Sequence, residues 1–206
     1  GQSSQAYNCY VDKHSNYWVL NVGHVFVYDQ KDKKWYAHLN DYLAQYGVPP
    51  LPAGLEVWDV CMDQRGWMWL ATDHMGIFVI DMKRGEVKNF VHNKYDATSI
   101  SENTAKKLML DRSGNMWIGC YRNGLNQYIE KLLGFNTLEV GDVNTTCVDA
   151  AGNWWFGTDN RGIIKYLPAT GETEVYDKAR CGFASDVMVS SCGAYPEAEH
   201  RWGCFQ

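Results

Sequence analysis

Proline is scarce in this chain, with 5 residues among 206, and neither a long apolar run nor a cluster of basic residues is present. So few prolines exclude a collagen-like or proline-rich segment. Apolar residues make up 46% of the chain, but no run of them approaches the ~18 residues of a membrane-spanning helix. The formal charge is -5, from 24 acidic and 19 basic residues, and no basic patch is available to hold nucleic-acid phosphates. We therefore expect this chain to contact neither a membrane nor nucleic acid.

Motifs of catalysis and of metal binding are also missing. The six histidines show no metal-ligand spacing, and the seven cysteines include no pair separated by two residues. No glycine-flanked serine elbow and no phosphate-binding glycine loop occurs. We expect no metal, no cofactor and no catalytic residue in this chain.

The chain does contain a repeat built on aspartate and tryptophan. Each copy has a Trp six residues after its Asp, and the last three copies have a Gly seven residues after the Trp. The copies recur at intervals of about 40 to 50 residues, which is the length of one four-stranded blade of a β-propeller. They begin at Asp12, Asp63, Asp111 and Asp149.

The apolar pattern of each unit is that of strands. Apolar residues alternate with polar ones or form short runs between turn residues, and a helical period is nowhere sustained. The sequence therefore predicts an all-β fold of four complete four-stranded propeller blades and part of a fifth, in an incomplete or open propeller. One short helix is expected at 41–46. The predicted blades cover residues 5–45, 56–95, 104–138, 143–178 and, for the partial blade, 186–206.

The repeated residues have structural roles that follow from their chemistry. Asp at the start of a tight turn accepts backbone N–H bonds, and Gly adopts the left-handed conformation that such a turn requires. Trp in the second strand is large enough to fill the space between neighbouring blades. We assign these roles to Asp63, Gly66, Trp69, Asp111, Gly114, Trp117, Asp149, Gly152 and Trp155.

These residues resemble the two-component regulator propeller repeat. The match is closest at 111–125, which begins Asp-Arg-Ser-Gly-Asn-Met-Trp-Ile-Gly, and at 152–162; it is weak in the first unit and after residue 180. In that family the repeats build the periplasmic sensor region of hybrid two-component histidine kinases, usually as seven-bladed rings that sense glycan fragments. The resemblance implies that this chain is a periplasmic or otherwise extracytoplasmic segment of such a sensor.

The fifth unit is incomplete in the sequence. Residues 187–194 have the pattern of a first strand and 200–206 that of a second, with no outer strands after them. Four and a half blades fall short of a seven-bladed ring. We therefore expect open blade edges and uncovered faces, and self-association of the chain through them.

Four of the cysteines fall in predicted first strands, which are the innermost strands of a blade. At such positions a free Cys acts as a small apolar filler, although a disulfide stays open if the chain is exported. These cysteines are Cys9, Cys61, Cys147 and Cys192.

The turns between second and third strands differ among otherwise similar units, which makes them the best candidates for a binding surface. In a propeller these turns and the links between blades lie on one face, around the mouth of the channel. Their Tyr, Arg and Asn side chains can stack on or hydrogen-bond to sugars and acidic groups, although surface turns are polar in most proteins. The candidate ligand-binding residues are His74, Tyr121, Arg122, Asp159, Asn160 and Arg161, with the linker residues His92, Asn93, Lys94, Tyr95 and Asp96 beside them.

The expected function of this chain follows mainly from its resemblance to the two-component regulator propeller repeat. It implies a non-catalytic sensor or recognition segment of a hybrid two-component system, which binds an oligosaccharide or relays a signal. A free-standing propeller for protein–protein interaction is one alternative. A propeller lyase or glycosidase is another, and it would need paired acids or a metal at the channel mouth.

Overall fold

The computed structural model describes residues 7–130, 134–159 and 161–182. In these residues sixteen strands form four antiparallel four-stranded sheets, and within each sheet the strands follow one another in chain order. The first strands of blades 2, 3 and 4 lie next to one another. None of the helices in the described part of the chain is long and apolar enough to cross a bilayer.

The four sheets are the blades. Blade 1 contains β1 (Asn8–Val11), β2 (Tyr17–Asn21), β3 (His24–Asp29) and β4 (Lys34–Tyr36), and α1 (Leu39–Ala44) follows it. Blade 2 contains β5 (Val57–Met62), β6 (Met68–Thr72), β7 (Ile77–Asp81) and β8 (Glu86–Phe90). Blade 3 contains β9 (Ala105–Leu110), β10 (Met116–Cys120), β11 (Leu125–Ile129) and β12 (Gly134–Leu138). Blade 4 contains β13 (Val143–Val148), β14 (Trp154–Thr158), β15 (Ile163–Leu167) and β16 (Glu172–Tyr176), and α2 (Lys178–Cys181) follows it.

The prediction of all-β propeller blades is confirmed by these four sheets. The predicted fifth unit, residues 186–206, lies outside the described residues. The helix expected at 41–46 instead covers Leu39–Ala44, because Tyr42 and Leu43 turn inward and pack against blades 1 and 2. The second helix was not predicted; it has only four residues, and the Asp177 side chain caps it by accepting a bond from the backbone N–H of Arg180.

Each repeated Asp joins its turn to the Trp of the same blade. The carboxylate of Asp149 accepts bonds from the backbone N–H groups of Ala151 and Asn153, and from the indole N–H of Trp155 at 2.9 Å. Bonds from the equivalent indoles, of 3.0 to 3.1 Å, occur in the other three blades. The sequence analysis predicted the backbone bonds but not the bond from the indole.

The core lies between the blades. In blades 1, 2 and 3, the face that contains the repeated Trp packs on the next blade along the chain. Trp18 of blade 1 shares a buried cluster with Met68 of blade 2. Trp69 lies 4.9 Å from the Tyr128 ring of blade 3, and Trp117 lies 4.3 Å from the Trp154 ring of blade 4. Burial of these large side chains between blades stabilises the contact from one blade to the next.

The cysteines only partly follow the prediction. Cys61 is buried and free, as expected of an apolar filler, but Cys9 is free and exposed. Cys147 is disulfide-bonded, so at this position the disulfide that the sequence left open replaces the expected free thiol. Cys9 departs from the prediction because no described blade packs on its side of blade 1. Cys192 lies outside the described residues.

Candidate functional site

A groove of about 540 Å³ opens at the end of blades 3 and 4 that carries the turns between second and third strands. One side is formed by the link between blades 2 and 3, and the other by the link between blades 3 and 4. Such a volume suits a small ligand. The groove is lined by His92, Asn93, Lys94, Asp96, Ala97, Ser99, Ser101, Arg122, Asn123, Gly124, Thr137, Glu139, Gly141 and Arg161.

Two arginines from neighbouring blades line this groove. Arg122 lies on the turn between β10 and β11, and Arg161 lies on the equivalent turn between β14 and β15. Gly141 makes room for Arg161, because a Cβ at that position would lie 2.8 Å from the Arg161 Cδ atom. Among the described residues neither arginine forms a salt bridge. Both guanidinium groups are therefore available to an acidic ligand.

The backbone and a neighbouring ring hold Arg122 in place. Its φ angle is 68°, in the left-handed region that non-glycine residues rarely adopt. The guanidinium lies 4.8 Å from the centre of the Tyr121 ring, and the Lys106 ammonium lies 4.4 Å from the same ring. Tyr121 is thus engaged by two cations, and it positions Arg122 rather than lining the groove.

The link between blades 2 and 3 is fastened to blade 3 by Asn126. This fully buried side chain accepts bonds from the Ser101 backbone N–H and the Thr137 hydroxyl, both at 3.0 Å. Its amide donates to the Ser101 hydroxyl at 2.8 Å, and that hydroxyl donates to the carbonyl of Asn123. Since a buried polar network of this kind is rigid, this wall of the groove is preformed.

The charges in and near the groove are mixed. Lys94, Arg122 and Arg161 bring positive charge, and Asp96 and Glu139 bring negative charge. The Asp96 carboxylate is already bonded to the backbone N–H and hydroxyl of Thr98. The site is therefore amphoteric, and none of these five charged side chains forms a salt bridge among the described residues.

Glu102 lies outside the groove lining but close enough to interact with Arg122. One of its carboxylate oxygens is buried without a hydrogen-bond partner among the described residues. Burial raises the pKa of this carboxyl, against the opposing effect of the Arg122 charge, and Asp142 raises it further. The charged form of Glu102 is thus less favoured than that of a solvent-exposed glutamate.

Of the five candidate ligand-binding residues that the structure describes, two line the groove, Arg122 and Arg161. His74 points into solvent, 82% exposed, with its Nδ1 atom 2.8 Å from the Asp73 carboxylate. Asp159 donates its backbone N–H to the carbonyl of Asp142 and is not part of the lining. Asn160 lies outside the described residues.

The linker residues are better represented in the groove. His92, Asn93, Lys94 and Asp96 belong to the lining, whereas the side chain of Tyr95 is 85% exposed. The sequence prediction missed several hydroxyl, amide and carboxylate side chains beside the arginines. Asn123 could have been found from its place in the same turn as Arg122, but nothing in the sequence pattern singles out the others, which are Ser99, Ser101, Thr137 and Glu139.

The described part of the chain holds no group of three or more His, Cys, Asp or Glu side chains arranged to bind a metal ion. The groove lining offers guanidinium, ammonium, hydroxyl and amide groups. Such groups bind carboxylates, sulfates and sugar hydroxyls.

A family model described as "Two component regulator propeller" matches residues 50–74. The match confirms the predicted resemblance and falls on the first two strands of blade 2. No curated protein matches the chain.

Solved structures with the same fold include extracellular domains of two hybrid two component systems from B. thetaiotaomicron. One is 19% identical, with a TM-score of 0.64, over 82% of this chain and 23% of its own. The other is 17% identical, with a TM-score of 0.63, over 84% of this chain and 24% of its own. This chain thus spans about a quarter of their length.

A virginiamycin B lyase from Staphylococcus aureus is also similar in structure. It is 14% identical, with a TM-score of 0.56, over 85% of this chain and 56% of its own. At these sequence identities the structural similarity shows a shared propeller fold. Function has to be argued from the residues of the site.

Proposed function

We propose, from the two-component regulator propeller repeat that residues 50–74 carry, that the chain is a non-catalytic, extracytoplasmic recognition segment of a hybrid two-component system. Its ligand in this proposal is an acidic oligosaccharide. The structural neighbours from B. thetaiotaomicron are extracellular domains of such systems, which supports the location.

The observation that carries the proposal is the pair of arginines without ionic partners in one groove. A planar guanidinium can form two parallel bonds with a carboxylate or sulfate. Arg122 and Arg161 belong to different blades, so one ligand with two acidic groups would bind both blades at once. The hydroxyl groups of Ser99, Ser101 and Thr137 line the same groove and suit the neutral hydroxyls of a sugar.

A ligand held in this way would also link three parts of the fold. The groove takes residues from blade 3, from blade 4 and from the segment after blade 2. Binding would therefore reduce the relative motion of these parts, which gives a physical basis for signal relay.

Replacement of the two arginines tests the proposal. Titration calorimetry with an oligosaccharide of uronic acids should show that Arg122→Ala and Arg161→Ala each weaken binding about tenfold or more, since each removes a charge-assisted contact. Arg112→Ala is the matched control, because this exposed arginine lies on the turn at the opposite end of blade 3.

Two results would contradict the proposal. Unchanged affinity in the double variant would show that the groove is not the binding site. Shortening of the oligosaccharide by the wild-type chain would favour a propeller lyase or glycosidase instead.

A further inference from the structure

The first strands of blades 2, 3 and 4 each contain one extra residue, close to the end of the blades at which the groove opens. In blade 2, the residues on both sides of Trp58 pair with consecutive residues of β6, so Trp58 itself has no register partner on that strand. The same irregularity occurs in β9 and β13, where the extra residues are Lys106 and Asn144. A β-bulge of this kind turns a side chain out of the ladder, and bulges are frequent beside functional sites.

The bulge has the same place in each blade, but its side chain changes. Each bulged residue stands five positions before the repeated Asp of its blade. It is an aromatic residue in blade 2, a cationic residue in blade 3 and an amide in blade 4. The residue before it is always aliphatic and buried, as Val57, Ala105 and Val143 show. Packing therefore explains the residue before the bulge, whereas the varied chemistry of the bulged position is left over for binding.

Trp58 presents its indole at the surface although it lies on an innermost strand. It is 41% exposed, whereas Trp69 of the same blade is 1% exposed. A large aromatic residue that the core does not enclose marks a contact surface. Its flat apolar face suits the C–H side of a sugar ring, which is the apolar side of such a ring.

Lys106 lies on the strand that adjoins the strand of Trp58. The Asp59 carboxylate accepts a bond from the backbone N–H of Leu108 at 3.0 Å, and one of its oxygens lies 3.8 Å from the Lys107 ammonium. These contacts hold β5 against β9, and each of the two bulged residues directly precedes a residue of the contact. Trp58 and Lys106 therefore lie at the same level of adjoining strands, and we call them the inner shelf.

The inner shelf is continuous with the groove through Tyr121. The Lys106 ammonium lies 4.4 Å and the Arg122 guanidinium 4.8 Å from the centre of this ring. Lys106 is partly exposed and forms no salt bridge among the described residues, so its charge is available to an acidic group. The bulge of blade 4 does not extend the shelf, because the amide nitrogen of Asn144 is buried.

We propose that the acidic oligosaccharide extends from the groove onto the inner shelf, where one of its sugar rings packs on Trp58 and one of its acidic groups pairs with Lys106. This inference rests on the function proposed above and adds a requirement for ligand length. A short ligand occupies the groove alone, since neither shelf residue belongs to the groove lining. The shelf is thus a separate subsite that selects longer oligosaccharides.

A disaccharide and a hexasaccharide of uronic acids separate the two subsites. Titration calorimetry should show that Trp58→Ala weakens binding of the hexasaccharide about tenfold and leaves binding of the disaccharide unchanged, because only the longer ligand gains the ring contact. Trp58→Phe should keep part of the gain, since it retains a flat ring. Trp35→Ala is the matched control, at a tryptophan of blade 1 that is 57% exposed, and it should change neither affinity.

Hydroxyl-radical footprinting with mass spectrometry reports contact at Trp58 independently of affinity. The hexasaccharide should slow oxidation of Trp58 in the wild-type chain, whereas the disaccharide should not. Trp35 serves as the reference in the same sample and should be oxidised at the same rate with either ligand.

The outcomes distinguish this inference from the function on which it rests. Equal hexasaccharide affinity of wild type and Trp58→Ala, with binding lost in the Arg122→Ala/Arg161→Ala double variant, would overturn the inference and leave the proposed function standing. Loss of both ligands in Trp58→Ala would also overturn it, because Trp58 would then shape the groove itself. Failure of the wild-type chain to bind either ligand would overturn both proposals.

Discussion

At the scale of single residues, the repeated Asp accepts three or more hydrogen bonds in each blade. In blade 4 the Asp149 carboxylate receives bonds from Trp155, Asn153 and Ala151. Burial alone would raise the pKa of this carboxyl, but the bonds from Trp155 and Asn153 outweigh it and lower the pKa. The charged form is therefore the one that stabilises the turn.

Asp149→Asn should lower the free energy of unfolding at neutral pH by about 1 to 3 kcal/mol, because an amide accepts these bonds more weakly than a carboxylate. Since the folded-state pKa is depressed, the contribution of Asp149 is fully present above the ordinary aspartate pKa of 3.8. It is lost as the pH falls through the lower pKa of the folded state.

Urea unfolding across a pH series measures this effect. The difference between wild type and Asp149→Asn should shrink as the pH falls below that ordinary value. Glu86→Gln, at an exposed carboxylate on β8, is the control and should change stability little. A difference that stays constant at every pH would show that the charge of Asp149 does not act in the turn.

At the scale of elements, the turn between the second and third strands brings the inner part of a blade against its outermost strand. Gly124 has a φ angle of 72°, and a Cβ there would collide with the carbonyl oxygen of Leu138 at the end of β12. The sequence analysis noted this recurring Gly, but the approach of the outer strand is visible only in the structure. Gly124 thus fixes both the turn and the position of the fourth strand.

Gly124→Ala should destabilise the fold by more than about 2 kcal/mol, from the left-handed backbone and the collision together. Gly152→Ala is the matched control, because Gly152 has a φ angle of 85° but no atom within 4 Å of the Cβ position. Gly152→Ala should lower the free energy of unfolding by about 1 kcal/mol, because only the left-handed backbone is strained. Equal losses in thermal unfolding would show that contact with Leu138 is unimportant.

The strands were predictable from sequence because the pattern of apolar and turn residues that indicates a strand is local. Turn residues bound each apolar run, as they do on both sides of β10 and β11 in blade 3. Only some of the residues that line the groove were predictable from sequence. Arg122 and Arg161 could be found from variation among the units, whereas Ser99 and Ser101 join the site through Asn126, which depends on how the linker folds back on blade 3.

At the scale of the whole molecule, the groove joins two blades and a linker. It takes its walls from blades 3 and 4 and the preceding linker, and blade 1 contributes none of its lining residues. Because Arg122 and Arg161 lie on different blades, one bound ligand would contact both. Tyr28→Ala, on blade 1, should therefore leave oligosaccharide affinity unchanged.

The most direct test of the central claim compares an oligosaccharide of uronic acids with the same oligosaccharide after its carboxyl groups have been reduced to alcohols. The account predicts that the wild-type chain binds the acidic form about tenfold or more tightly than the reduced form, and that added salt narrows the difference. The Arg122→Ala/Arg161→Ala double variant should bind both forms equally weakly. Equal binding of the two forms by the wild-type chain would contradict the claim that the arginine pair recognises acidic groups.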